Sequence, residues 1–257
     1  ARAVLDPGDA VLLVSPYWPL IAGVMRNCGV ETLEVPLSQD LYAGPVDIVA
    51  ALEAARTERT RAVYFVTPNN PDGHMFDAAQ LAAIAGFACE HDLWVFADEV
   101  YADFSFDREH LSIANLPGMA ARTITSHSLS KSHGLAGARI GYVVSNERTI
   151  AATLRIANHT IYNVPVPMQR AALAAVQHGE IWLRHAKTTY LAARDATCSA
   201  LAELGVAHDV PHGGSFVFVD LRPQIDALGR AGSDRSASLQ RLLEIALALA
   251  TKPKVLL

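Results

Sequence analysis

The stretch Ser126-His127-Ser128-Leu129-Ser130-Lys131-Ser132-His133-Gly134-Leu135-Ala136-Gly137-Ala138-Arg139-Ile140-Gly141-Tyr142 decides how the rest of the chain is read. An apolar, β-rich run at 123–126 leads into it, and a second at 139–144 leads out. Between them one lysine stands among hydroxyls and glycines, with an arginine eight residues further on. A lysine on a solvated helix face normally sits among other charges. Lys131 does not, so the pattern predicts a buried amine, and burial favours the neutral form that attacks carbonyls. The serines and Arg139 have the chemistry to hold a phosphate.

Working outward, further short apolar runs occur at 11–14, 32–35, 62–66 and 94–97. Most are continuous rather than alternating, as in strands covered on both faces. Helical patterns separate them. Asp77 followed by Gln80 resembles a capping box, and Leu81, Ile84, Ala85 and Ala88 then recur at helical spacing. This alternation predicts an α/β fold, a mixed, mostly parallel sheet sandwiched by helices. After Pro167 the texture changes to Ala-rich helix over about 168–204, interrupted near Gly179, then a glycine turn and strand at 213–220 and a last helix over about 236–251. The expected division is a large domain, 1–184, and part of a smaller one, 185–257. The opening Ala1-Arg2-Ala3-Val4-Leu5 reads as the last turn of a helix, and the chain reads as a fragment.

Composition narrows the function. The 257 residues are 51% hydrophobic and 18% charged, enough apolar material for a substantial core. A net charge of -5, with no clustered Lys/Arg face, argues against nucleic acid as a partner. Cys28, Cys89 and Cys198 form no CxxC and predict reduced, mostly buried thiols. The ten histidines lack metal spacing, so no metal is expected. No run is long enough to span a bilayer and no basic-then-apolar leader opens the chain, so a soluble, cytoplasmic protein is expected.

Two more segments follow predicted strands, where open α/β sheets place their ligands: Thr67-Pro68-Asn69-Asn70-Pro71-Asp72-Gly73 and Ala97-Asp98-Glu99-Val100-Tyr101. Taken alone, the first is a Pro/Gly turn and Asp98 is either a ligand carboxylate or a helix cap. Taken in order, the set resembles the class I/II aminotransferases, the fold-type I pyridoxal-phosphate enzymes. Ser128-Leu129-Ser130-Lys131 through Arg139-Ile140-Gly141 looks like that family's cofactor-attachment signature, with Lys-x7-Arg spacing. Asn69-Asn70-Pro71-Asp72-Gly73 is similar to its Asn-Pro-Thr-Gly turn, with Asp72 in place of threonine. Asp98-x-x-Tyr101 matches its Asp-x-x-Tyr. Asp6-Pro7-Gly8-Asp9, Pro16-Tyr17-Trp18-Pro19 and Gly213-Gly214-Ser215-Phe216 resemble further landmarks.

The resemblance implies pyridoxal 5'-phosphate as cofactor and an aminotransferase acting on an amino acid and a 2-oxo acid, as a homodimer. Lys131 would form the Schiff base with the cofactor and move protons at Cα. Asp98 would pair with the pyridine nitrogen, and Tyr101 and Asn70 would donate to the ring oxygen. Ser128 and Arg139 would hold the phosphate, and Trp18, or Tyr17 if the register slips by one, would lie on the ring face. His127, His133 and His159 lie near the motifs and are expected to be packing or loop residues. The family's carboxylate-binding arginine has no matching context among Arg222, Arg230, Arg235 and Arg241. The same frame serves lyases, cyclases and oxidases, and also the sensor domains of some transcriptional regulators; these remain alternatives at the level of sequence.

Overall fold

Each of the six expected runs forms a strand. The computed structural model describes residues 1–221. In it β1 (Ala10–Ser15), β2 (Glu31–Pro36), β3 (Thr60–Val66), β4 (Trp94–Asp98), β5 (Thr123–Ser128) and β6 (Gly141–Val144) make one sheet in the order β2-β1-β3-β4-β5-β6. The first five strands are parallel and β6 is antiparallel to β5. Parallel neighbours need crossovers. These carry α1 (Leu20–Arg26), α2 (Asp40–Ala43), α3 (Ile48–Ala55) and α4 (Ala78–Glu90). A one-turn helix, α5 (Leu129–Ser132), follows β5, and α6 (Glu147–Thr160), α7 (Val166–His178) and α8 (Glu180–Glu203) follow β6.

The period-two geometry of a strand splits each apolar run between two cores. Leu12, Val14, Val63, Phe65, Val95 and Ala97 pack against Leu52 of α3 and Leu81, Ile84 and Phe87 of α4. Val11, Leu13, Ala62, Tyr64 and Phe96 face the other way, onto Ala22 and Met25 of α1. At about 1.5–3 kcal/mol for each fully buried large side chain, these two layers supply most of what favours folding. The capping box forms: the Asp77 carboxylate accepts from Gln80 N at 2.8 Å, and Gln80 Oε1 accepts from Asp77 N at 2.9 Å.

Some expectations need correction. The run at 139–144 pairs only from Gly141, because Arg139 sits in the left-handed region at φ 52° after a short 3-10 turn, Ala136–Ala138. A Cβ at Gly141 would lie 2.5 Å from the His127 carbonyl, so glycine lets the ladder close there. In place of a strand over 213–220, β7 (Ala207–His208) pairs with β8 (Val219–Asp220), and Gly213 makes an isolated bridge to Ser105. Of the three free thiols only Cys198 is buried; Cys89 is exposed, on the same outer face of α4 as Ala82, Gly86 and Glu90. The helical interruption lies at Gly179, whose missing Cβ would meet the Ala175 carbonyl oxygen at 2.3 Å and the His133 ring at 2.8 Å. The expected 184/185 boundary falls inside α8, a continuous helix. The helix expected at 236–251 and Arg222, Arg230, Arg235 and Arg241 lie outside the described residues. Among the described residues, no helix is long and apolar enough to cross a membrane.

In this order β1 lies between β2 and β3, so the chain reverses direction across the sheet between β1 and β3. Ligands of open α/β sheets bind beyond the strand carboxyl ends at such a switch.

Candidate active site

The loops leaving β1 and β3 meet at the switch. Asn69 Nδ2 donates to the Pro16 carbonyl at 2.9 Å and to Asp72 Oδ1 at 2.8 Å, and His74 N donates to the same Asp72 oxygen at 3.0 Å. The turn closes on Gly73, at φ +70°, where a Cβ would come within 2.2 Å of Pro211. His212 N and Gly213 N both donate to the Gly73 carbonyl, at 3.0 and 3.2 Å. Asn69 and Asp72 are thus buried parts of the turn itself, and Asn70 is left half-buried at its rim. Where the family motif has threonine, this chain buries a carboxylate, and burial raises the Asp72 pKa.

Asp98 ends β4. Its Oδ2 accepts from Tyr64 Oη at 3.1 Å and its Oδ1 from Val100 N at 3.3 Å. Burial raises its pKa, against the pull of those two donors, Ser126 and the nearby His127. Three residues on, Tyr101 is buried with its hydroxyl against the Ser215 and Asn70 side chains, and burial raises its pKa also. Its ring meets Phe216 edge-on at 5.8 Å, and Lys131 Nζ stands over the ring, 5.8 Å from its centroid. Asn70, Tyr101 and Lys131 therefore converge from three different segments.

Lys131 is exposed, not buried as its setting predicts. The reason is the short helix that carries it: α5 turns Leu129 and Ser132 inward and leaves Lys131 facing outward over Tyr101. Ser128 caps α5, its Oγ accepting from Ser130 N at 3.1 Å. The antiparallel register sets Ser128 opposite Gly141, which brings the Arg139 segment alongside α5. Arg139 is exposed and its guanidinium donates to the Ala136 carbonyl at 3.0 Å. Trp18 is 39% exposed. Tyr17 is engaged elsewhere: it donates to Glu34 Oε1 at 2.7 Å, and burial, with Glu34, pushes its pKa up to about 12.

His127 and His133 behave as packing and loop residues, whereas His159 lies exposed in the last turn of α6. His127 stacks on Tyr142 at 4.8 Å, His133 Nδ1 pairs with Ser132 Oγ at 2.8 Å, and His159 Nδ1 meets the Arg155 carbonyl at 2.7 Å. His127 and His110 flank the buried Glu99 at 3.8 and 3.3 Å, and Ser112 Oγ donates to it at 2.7 Å. Sequence reasoning missed Tyr64, which reads as one more strand aromatic, and Ser215, whose hydroxyl directly after two glycines was the available signal.

The Asp98 carboxylate, the Tyr101 hydroxyl and the Lys131 amine thus lie at or just beyond the carboxyl ends of β4 and β5, with Asn70 reaching Tyr101 from the turn after β3. The chain matches the aminotransferase class I and II family over residues 1–254, and it belongs to that family. Arginine–pyruvate transaminase of Pseudomonas aeruginosa is 37% identical over 245 residues, 95% of this chain and 60% of that protein. Aspartate aminotransferase from Thermus thermophilus with maleate superposes with a TM-score of 0.83 at 26% identity, covering 96% of this chain and 72% of that one. N-Succinyldiaminopimelate aminotransferase from Mycobacterium tuberculosis gives 0.79 at 31%, covering 92% and 62%. The chain spans 57–60% of the length of the first curated relatives it matches. The family's cofactor is pyridoxal 5'-phosphate, and the donor set fits it. Asp98 in particular is a half-buried carboxylate whose desolvation disfavours its charge, and a protonated ring nitrogen would offset that.

Proposed function

We propose that the protein is a pyridoxal-phosphate-dependent aminotransferase, moving an amino group between an amino acid and a 2-oxo acid. The observation that carries this reading is the convergence of Asn70, Tyr101 and Lys131 beside Asp98, beyond the carboxyl ends of β3, β4 and β5. When bound, the cofactor supplies an electron-withdrawing ring that takes up the electron pair left at the substrate Cα. The Asp98 carboxylate would hold the proton on the ring nitrogen. Tyr101 and Asn70 would donate to the ring oxygen. Ser128 and Arg139 would hold the phosphate, Arg139 by charge-assisted bonds, and Trp18 would lie against the ring. The Lys131 amine, free of ion pairs among the described residues, anchors the cofactor and moves the proton at Cα.

The relatives' names cite arginine, succinyldiaminopimelate and aspartate, so the proposed substrate class is a 2-amino acid with a 2-oxo acid acceptor. Residues 1–184 are taken as the cofactor-binding domain and 185–257 as part of a smaller one, in a cytoplasmic homodimer. The test is the absorbance spectrum with added pyridoxal phosphate, before and after borohydride, with mapping of the modified lysine. A reduced adduct at Lys131, lost in a folded Lys131→Ala variant, supports the reading; an adduct retained at another lysine overturns it. Keto acid released without any amino acceptor would move the assignment to an oxidase or lyase.

A further inference from the structure

Tyr64 lies on β3 opposite Phe96, and Val66 lies opposite Asp98. On a parallel pair, Tyr64 and Asp98 are therefore diagonal neighbours on one sheet face, within reach of a long aromatic side chain. Tyr64 makes that reach: its ring is buried in the core layer with Val66 and Phe96, and its hydroxyl donates to Asp98 Oδ2 at 3.1 Å. No backbone group competes for that oxygen, since the Val100 N–H goes to Oδ1. From this geometry we infer that Tyr64 is a positioning residue for the cofactor site: its hydroxyl keeps Asp98 ionised and fixes which way the carboxylate faces.

The purpose of this device rests on the pyridoxal-phosphate reading, but its physics does not. A buried phenol is harder to ionise than a free one, so Tyr64 remains a donor throughout the working pH range. The other groups facing Asp98 are Ser126 and His127 from β5 and Tyr101 from the turn after β4. Of these, the hydroxyls of Tyr64 and Ser126 stabilise the carboxylate by donation, and only Tyr64 reaches it from β3. With the hydroxyl gone, burial of the carboxylate is opposed by one donor fewer. A donor to a charged group is worth enough to move a carboxyl titration by about one pH unit.

The experiment is an NMR titration of carboxyl-labelled aspartate in the chain without cofactor, with the Asp98 signal assigned by its absence in Asp98→Asn. In Tyr64→Phe the Asp98 titration is expected to rise by about one pH unit. With 3-fluorotyrosine at position 64, a more acidic phenol and stronger donor, it is expected to fall. Opposite shifts from two rings of the same shape would not come from packing alone. An unchanged Asp98 titration in either protein, with circular dichroism showing the fold intact, overturns the inference. If Tyr64→Phe does not fold, the fluorinated protein decides by itself. Because no cofactor is present, this outcome is independent of borohydride trapping at Lys131, which tests the function.

Discussion

Single residues set the chemistry of this chain through what surrounds them. His74 is the sharpest case. It is 1% exposed, ringed edge-on by Tyr42 and Phe76, and neither ring nitrogen makes a hydrogen bond. Burial, helped by repulsion from His212 when that ring is protonated and from the Arg108 guanidinium, pushes its pKa down from 6.5 to about 3. The unfolded chain takes up that proton near 6.5 and the native protein does not until about 3, so the unfolded state binds more protons throughout this window. Stability from His74 is complete above the upper value and drains away as pH falls toward the lower one, at about 1.4 kcal/mol per pH unit. Asp72, raised by burial, acts with the opposite sign, since the native state protonates it first. His74→Phe keeps the ring contacts and removes the titration. Urea unfolding between pH 6 and 4 is therefore expected to show a shallower loss of stability in the variant, with little change at pH 7; equal slopes would refute the assignment.

At the scale of elements, local sequence decides the boundaries. The reciprocal bonds of Asp77 and Gln80 start α4, which packs Leu81, Ile84 and Phe87 onto one side of the sheet beside Leu52 of α3. Asp77→Ala is expected to cost about 1 kcal/mol, seen as a lower urea midpoint with an unchanged slope. The strands, this helix and the break at Gly179 were all legible, because each rests on a local pattern of apolar spacing, capping or glycine. The order of motifs likewise made the family legible. What sequence could not supply was environment. The loneliness of Lys131 among charges suggested burial, yet a one-turn helix presents it outward. The 213–220 run has strand composition but finds ladder partners only at Val219–Asp220 and one bridge at Gly213. Tyr64 matters through a diagonal contact with Asp98 that depends on sheet register, which no residue spacing encodes.

At the scale of the whole molecule, one flank is bare among the described residues. β6 pairs with β5 on one side only, and its Val143 and Val144 are exposed. α6 and α7 carry Leu154, Leu173 and Val176 outward, and the link between them adds Ile161 and Tyr162, all at 56% exposure or more. Apolar surface in this amount favours association. Sedimentation velocity is expected to show self-association that rises with concentration and weakens in Leu173→Asp; a monomer at every concentration would count against the proposed homodimer. The middle of the sheet, at the end of β3, is tied together over a long distance. The turn at 69–73 is closed by Pro211, His212 and Gly213, and His212 Nδ1 accepts from Met75 N, 137 residues earlier in the chain. On the ribosome that interval lasts on the order of ten seconds. Throughout it, the emerging chain carries Asp72 and His74 without the cover that sets their ionisation. The sheet thus has time to assemble first, and the turn that carries Asn70 is closed only after Gly213 has been translated.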